Sequence, residues 1–245
     1  MLVFIVLTML GAPVLAANQP KLILQITVDA LRGDLPDRFS SVMGDGGFRY
    51  LMDHGIHYTN AHYQHANTET IVGHASLATG STPAAHGMVA NVWFDRELGR
   101  LAYNIEDADY KLLTAGADVD QKSEIDPTQK AARVDGRSPR NIITSTLSDE
   151  MAIHFAGKSK IFAVSVKDRG AVSLAGHAGK AFWFSKASGE FVTSNYYYQQ
   201  YPEWVNEWNA ARPAMAYSGK AWQLTHPVEK YMLGDADDKP YETDL

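Results

Sequence analysis

Residues 65–91 read HANTETIVGHASLATGSTPAAHGMVAN and gather Thr68, Thr70, Ser76, Thr79 and Ser81 with His65, His74 and His86, beside a single acid, Glu69. A threonine hydroxyl barely ionises near neutral pH, so it becomes a nucleophile only with help from a metal, a base or a positive field. The chain offers such help elsewhere. Asp29 closes an apolar run, and a carboxylate is a hard oxygen ligand for a divalent metal. Lys167 and Arg169 close another run. A guanidinium grips two phosphate oxygens in its fork, and an ammonium beside it adds a point charge. Hydroxyl, metal-binding carboxylate and paired cations together describe phosphoryl transfer, where catalysis is mostly positioning and charge neutralisation. Each residue also has a bland reading. Asp29 serves as a turn or cap, Thr70 as a first-turn helix residue, Lys167-Asp168-Arg169 as a solvated turn with local ion pairs, and Asn91 as a bend.

These groups meet only if their elements do. Leu22–Val28 is a near-continuous apolar run with β-branched members, the pattern of a strand buried on both faces of a parallel sheet. Ligands of open α/β sheets bind at the carboxyl ends of strands, where Asp29 would stand. Residues 42–54 read as a helix stopping before Gly55, and 56–63 as a second strand. Thr68 is placed to cap a helix through Ala78, with Ile71, Ala75 and Ala78 on one stripe and Gly80 as its stop. The polar, aperiodic stretch 95–137 reads as a loop or cap insertion. SPRNIITSTLSDEMAIHFAG (138–157) reads as a helix with Ser138 as cap, Pro139 in the first turn and Gly157 as stop. Residues 160–176 read as another buried strand running to a charged end, where Lys167 and Arg169 would point the same way. A hairpin turns at Ser188-Gly189, and an aromatic-rich helix or helix-loop follows. Alternating helices and buried strands give an α/β fold with a mostly parallel sheet flanked by helices. Residues 181–245 read as a further cap or insert.

Composition narrows the function. The 245 residues hold 22 Lys+Arg and 28 Asp+Glu, a net charge of −6, with 45% hydrophobic residues. That is an ordinary globular balance, without the basic stripe of a nucleic-acid binder or the polybasic segment of a membrane-surface protein. There is no cysteine, which excludes disulfides, thiolate nucleophiles, cysteine zinc sites and a lipid-modified bacterial N-terminus. The opening MLVFIVLTMLGAPVLAANQP is apolar from Leu2 to Leu15 and ends on small residues at Ala16 and Ala17. This reads as a secretory signal peptide over 1–17, although no basic residue precedes it, and it is short for a membrane span of about 20 residues. The expected location is secreted or periplasmic, with no stable membrane anchor once the signal is removed.

Four stretches resemble the alkaline phosphatase superfamily, and most closely its monomeric periplasmic enzymes related to nucleotide pyrophosphatases and phosphodiesterases. LILQITVDALRGD resembles the first strand with its metal-binding aspartate. NTETIVGHASLATGSTPAAHGMVAN resembles the nucleophile segment, with T-x-x-G-H, T-G-[ST]-x-P-x-x-H-G and a closing Asn. SVKDRGAVSLAG resembles the segment whose Lys and Arg hold phosphate in the monoesterase branch, and AFWFSKASGEFVTSNYY the hairpin after it. The resemblance implies Asp29 as a zinc ligand and Thr70 as the metal-bound nucleophile. It implies that Asn91, Lys167 and Arg169 hold the phosphoryl group, and that a phospho-threonine forms with two zinc ions in attendance. It further implies a monomer acting on small phosphorylated substrates, with His74, His86 and His177 as structural positions.

The family's other zinc ligands, an Asp-x-x-x-His, an Asp-His pair and a late His, have no counterpart after Arg169, where only His177 and His226 occur. Asp53-x-x-x-His57 and Asp53-His54 match by count but sit too early in the chain. The sequence therefore reads as the N-terminal part of a protein about twice as long, an incomplete domain. Beside the monoesterase stand a phosphodiesterase or pyrophosphatase, which would want an apolar pocket where Lys167 and Arg169 stand, and a non-catalytic periplasmic binding module using the aromatic stretch 196–222. A sulfatase is disfavoured, since no C/S-x-P-x-R motif occurs.

Overall fold

The computed structural model describes residues 20–231 apart from 123 and 222, so the expected signal peptide lies outside the described residues. The helices are α1 (Leu35–Arg38), α2 (Phe48–His54), α3 (Thr70–Thr79), α4 (Pro83–His86), α5 (Leu147–His154), α6 (Asp168–Ala175) and α7 (Glu203–Ala211). The strands are β1 (Val92–Asp95), β2 (Arg100–Tyr103), β3 (Phe162–Ser165), β4 (Lys180–Ser185) and β5 (Glu190–Val192). β1 and β2 form an antiparallel hairpin; β3 pairs parallel with β4, and β4 antiparallel with β5, in the order β3-β4-β5. The α/β class expected from the sequence is the observed one.

α6 lies between α3 and the β3–β4 pair, and residues all round it are buried. Small side chains make this sandwich. Ile71, Val72 and Ala75 of α3 join Ala171, Val172 and Ala175 of α6 in one core with Met88, Tyr103, Ile105, Ile142, Trp183 and Val192. At Gly170 a Cβ would stand 2.7 Å from Ser165 Oγ and 3.7 Å from His74 Cδ2, so a larger residue would wedge α6 off β3. Gly80 ends α3 in the left-handed conformation at φ 65°, as its position in the sequence predicts.

Several elements differ from the sequence reading. Residues 22–28 form no strand: no ladder partner faces them among the described residues, and Leu22, Leu24 and Ile26 are 79%, 74% and 70% exposed. Apolar, β-branched composition favours extension, but a strand exists only when its N–H and C=O groups find a neighbour. Residues 56–63 are likewise unpaired. The expected helix over 42–54 shrinks to α2. That over 138–157 starts only at Leu147, because Thr146 and Asp149 form a reciprocal capping box that outcompetes Ser138-Pro139. Ser138 instead donates its hydroxyl to Asp107. The expected strand over 160–176 stops at Ser165 and turns into α6. DRGAVSLA is short and apolar, a length at which periodicity does not separate a strand from a buried helix. The hairpin at Ser188-Gly189 is present, with Gly189 at φ 72°. Thus residues 181–192 of the stretch 181–245 belong to the sheet.

Within 95–137, Ala102, Tyr103, Ile105, Leu112, Ala117 and Arg137 are buried. The aromatic segment packs on the sheet: Trp204 sets its edge against Phe162 and Phe182, and Trp208 against Phe191.

Candidate active site

Thr70 opens α3, with Glu69, not Thr68, at the N-cap position. Its Oγ1 lies 3.5 Å from Asp29 Oδ2, to which it donates, and 3.5 Å from Arg169 Nη2, from which it accepts. Both distances are at the long end for hydrogen bonds. Residues 29, 70 and 169 thus converge, although only the last two sit on helices. Ala30 turns the chain directly after Asp29 with φ 55°, a left-handed conformation that costs a non-glycine residue about 1 kcal/mol or more. A cleft of ≈ 380 Å³ opens beside Asp29 and Thr70, walled by Leu31, Tyr63, His74 and Leu77.

Asn91, at the entry to β1, is buried against the start of α3. Its Oδ1 accepts from Ile71 N–H at 3.0 Å, and its own N–H donates to Glu69 Oε2 at 2.6 Å. The first bond fixes the amide's orientation and leaves the Nδ2 hydrogens for another acceptor. Asn104 holds the same segment by donating Nδ2 to Asn91 O at 2.6 Å.

Lys167 and Arg169 do not extend along a strand; Lys167 is the N-cap residue of α6, and Arg169 lies in its first turn. They still meet, on Asp126. Its Oδ2 accepts from Lys167 Nζ at 2.5 Å and from Arg169 Nη2 at 3.3 Å. Its Oδ1 accepts from Thr128 N–H at 2.9 Å and Thr128 Oγ1 at 2.6 Å, and Thr128 Oγ1 accepts from Arg169 Nη1 at 3.1 Å. Burial alone would raise the Asp126 carboxyl's pKa, but the hydrogen bonds from Lys167 and Thr128, with the charge of Arg169, outweigh it and hold the group well below the carboxylate range. Arg169 is 3% exposed, and its Nε–H is buried without an acceptor.

Behind Arg169 stands a buried hub. Asp168 accepts from Tyr103 Oη at 2.6 Å, Arg137 Nε at 2.7 Å and Arg169 N–H at 2.8 Å, and Arg137 Nη2 continues to Asp118 at 2.8 Å. Sequence reasoning missed Asp126, Thr128, Asp168, Arg137 and Tyr103. The only local signal was the Asp-Pro-Thr turn at 126–128, whose aspartate is typed to bond its own backbone two residues on.

Two of the histidines, His65 and His86, bond within the fold. His86 is fully buried; its Nδ1 accepts from Met88 N–H, so Nε2 carries the proton and donates to Ser76 Oγ at 3.0 Å. Ser76 Oγ then pairs with His65 Nε2 at 3.0 Å. Burial, then the neighbouring His65, lowers the His86 pKa and keeps the ring neutral. These bonds pin the loop before α3 and the turn after it onto the helix.

For a metal, the convergent donors are Asp29 and Thr70, and no group of three His, Cys, Asp or Glu residues able to hold an ion occurs among the described residues. Asp53, His54 and His57 build none. Zinc takes four ligands, so these two oxygens do not fit a complete zinc site.

A crystal structure of wild-type alkaline phosphatase PafA superposes with a TM-score of 0.73 at 32% identity, covering 88% of this chain and 39% of that one. A PafA variant with a threonine, an asparagine, a lysine and an arginine replaced gives 0.72 at 30% identity, covering 82% and 37%. Alkaline phosphatase PhoV of Synechococcus elongatus is 37% identical over 225 residues, 91% of this chain and 38% of its own length. PafA of Elizabethkingia meningoseptica is 33% identical over 243 residues, 98% and 42% respectively. The chain therefore spans about two-fifths of the length of the curated relatives it matches. Residues 23–241 match the model of the type I phosphodiesterase / nucleotide pyrophosphatase family. With that match over most of its length and these phosphatase relatives, the chain belongs to this family, within the alkaline phosphatase superfamily.

Proposed function

We propose that this chain carries the nucleophile and phosphate-holding half of a phosphate monoester hydrolase. Thr70 Oγ1 attacks phosphorus as its hydrogen passes to Asp29, the P–O bond to the leaving group breaks, and the departing oxygen takes up a proton from solvent, to which Asp29 returns its own. Water then cleaves the phospho-threonine, which restores the hydroxyl and releases inorganic phosphate. Arg169 and Lys167 offset charge on the phosphoryl oxygens, Asn91 donates through Nδ2 to one of them, and Asp29 accepts the Thr70 hydroxyl hydrogen. The observation that carries this reading is the placement of Arg169 Nη2 and Asp29 Oδ2 each 3.5 Å from Thr70 Oγ1.

Support also comes from PafA. In its variant the replaced threonine and asparagine stand 21 positions apart and the lysine and arginine two apart, the same intervals as Thr70–Asn91 and Lys167–Arg169. Two bound zinc ions belong to the family resemblance, and the described residues supply only Asp29 and Thr70 towards them. The reading includes small phosphorylated substrates, a monomer and export through the apolar leader. It also takes 95–137 as a cap whose residues 126 and 128 reach the cations.

The test is turnover of an aryl phosphate by the full-length gene product. Thr70→Ala should lower kcat by about a thousandfold or more while inorganic phosphate still binds; full turnover in that variant would remove the nucleophile assignment. A second reading, phosphodiester hydrolysis, is favoured by the family description itself. Arg169→Ala separates the two, because it should harm monoester turnover far more than diester turnover. Equal losses would favour the diesterase.

A further inference from the structure

Two cations two residues apart repel each other, and each has rotamers that point elsewhere. Lys167 springs from the extended N-cap residue of α6 and Arg169 from its first turn, so α6 alone does not bring them together. What does is a short acidic loop. Glu124 is buried and takes Lys186 Nζ on both carboxylate oxygens at 2.9 Å, which ties the loop to the β4–β5 turn. Glu124 Oε1 also accepts from Asp126 N–H at 2.8 Å. Thr128 then occupies Asp126 Oδ1 with two donors and leaves Oδ2 facing both cations. Every acceptor position of this carboxylate is thereby used, and its side chain is only 14% exposed.

We propose that Asp126 is a positioning and specificity-determining residue. Its carboxylate, held by Thr128 and the anchored Glu124, locks the Lys167 ammonium beside the Arg169 guanidinium, whose Nη2 reaches Thr70 Oγ1, as one two-pronged cation. A dianionic monoester needs both prongs, whereas a monoanionic diester needs less of that charge, so the clamp selects monoesters. This inference rests on the hydrolase reading for its substrate class but not for its geometry.

The experiment compares kcat/KM for an aryl phosphate and an aryl methyl phosphate diester in the full-length gene product. Asp126→Ala should lower the monoester value about tenfold or more and the diester value less than about threefold. Asp126→Asn, which keeps an acceptor oxygen without the charge, should recover part of the loss. In a background with Lys167 and Arg169 both alanine, Asp126→Ala should have no further effect, since it acts through them. An unchanged monoester-to-diester ratio in the active enzyme, or an equal loss in the double-alanine background, overturns the clamp. If the wild-type protein hydrolyses neither ester, the hydrolase reading fails and titration with inorganic phosphate decides the clamp. Asp126→Ala should then weaken Kd about fivefold or more in the native background only, and no change overturns it.

Discussion

Arg169 and Asp29 reach the same hydroxyl from two regions with very different support. Arg169 starts a buried helix wedged between α3 and the sheet, with Asp168, Asp126 and Thr128 accepting from its backbone and side chain. Asp29 is exposed and ends a segment that pairs with no strand among the described residues and carries its apolar side chains outward. The difference separates two jobs. Arg169 and Asn91, which would grip an anion, are built into the core and share its stability, with Lys167 half-buried at its edge, whereas the carboxylate on the other side of Thr70 stands on backbone that the described core does not hold. Changes on the first side should therefore cost folding as well as chemistry, and changes on the second should leave folding nearly intact.

The largest effect tests the buried side. Asp168 is 3% exposed and Arg137 1%, and they pair at 2.7 Å. Breaking a buried pair costs about 3–5 kcal/mol, and the lower end applies because Arg137 keeps Asp118 at 2.8 Å while Tyr103 Oη loses its acceptor. Asp168→Ala should thus lose about that much in urea denaturation, and it should also release the Arg169 backbone N–H. A loss below about 1 kcal/mol would mean that the hub is not what holds this half together.

A smaller effect comes from the rim of the same half. His177 donates Nδ1 to Asp149 Oδ2 and Nε2 to Ile142 O, both at 2.9 Å, so both ring nitrogens have acceptors and the imidazolium is favoured. The Asp149 bond raises the His177 pKa above its ordinary value. Burial works against ionised Asp149, but His177, Thr146 and the Ala178 N–H outweigh it and lower that pKa. For a raised histidine, the stabilisation is complete below its unfolded pKa of about 6.5 and fades as pH rises through the folded value; for a depressed aspartate it is present above about 3.9 and fades as pH falls. The pair therefore contributes most between about pH 4 and 6.5. His177 is 39% exposed, so solvent screening keeps the contribution to at most about 1 kcal/mol. The melting-temperature gap between wild type and His177→Gln should be wider at pH 5.5 than at pH 9. A gap that is flat or widens with pH contradicts the charged pair.

The same contrast explains what the letters disclosed. Thr70, Asn91, Lys167 and Arg169 entered as candidates through the resemblance of their motifs to a known family, and Gly80 and Gly189 were legible because left-handed turns need glycine. The buried supports were not. Asp168 reads as a solvated turn residue until Tyr103 and Arg137, brought from far along the chain, close over it. Asp126 sits in a polar, aperiodic stretch whose value lies wholly in its long-range partners. In the other direction, 22–28 has the composition of a strand, but composition does not supply the neighbour that makes one.

The smallest effect is the sharpest test of the other region. Leu24 is 74% exposed in an unpaired segment. A surface substitution without buried contacts changes stability by about 0.5 kcal/mol or less, so Leu24→Ser in this 245-residue chain should leave the urea midpoint almost unmoved. The substitution also lowers the apolar surface presented to solvent, which should reduce self-association. Sedimentation at rising protein concentration reads that directly. If Leu24→Ser instead cost 2 kcal/mol or more, on the order of a buried leucine's contribution, the run would have a packing partner, and Asp29 would then be held as firmly as Arg169. The two sides of Thr70 would no longer differ in kind, and the carboxylate's 3.5 Å approach to the hydroxyl would be a property of the folded core.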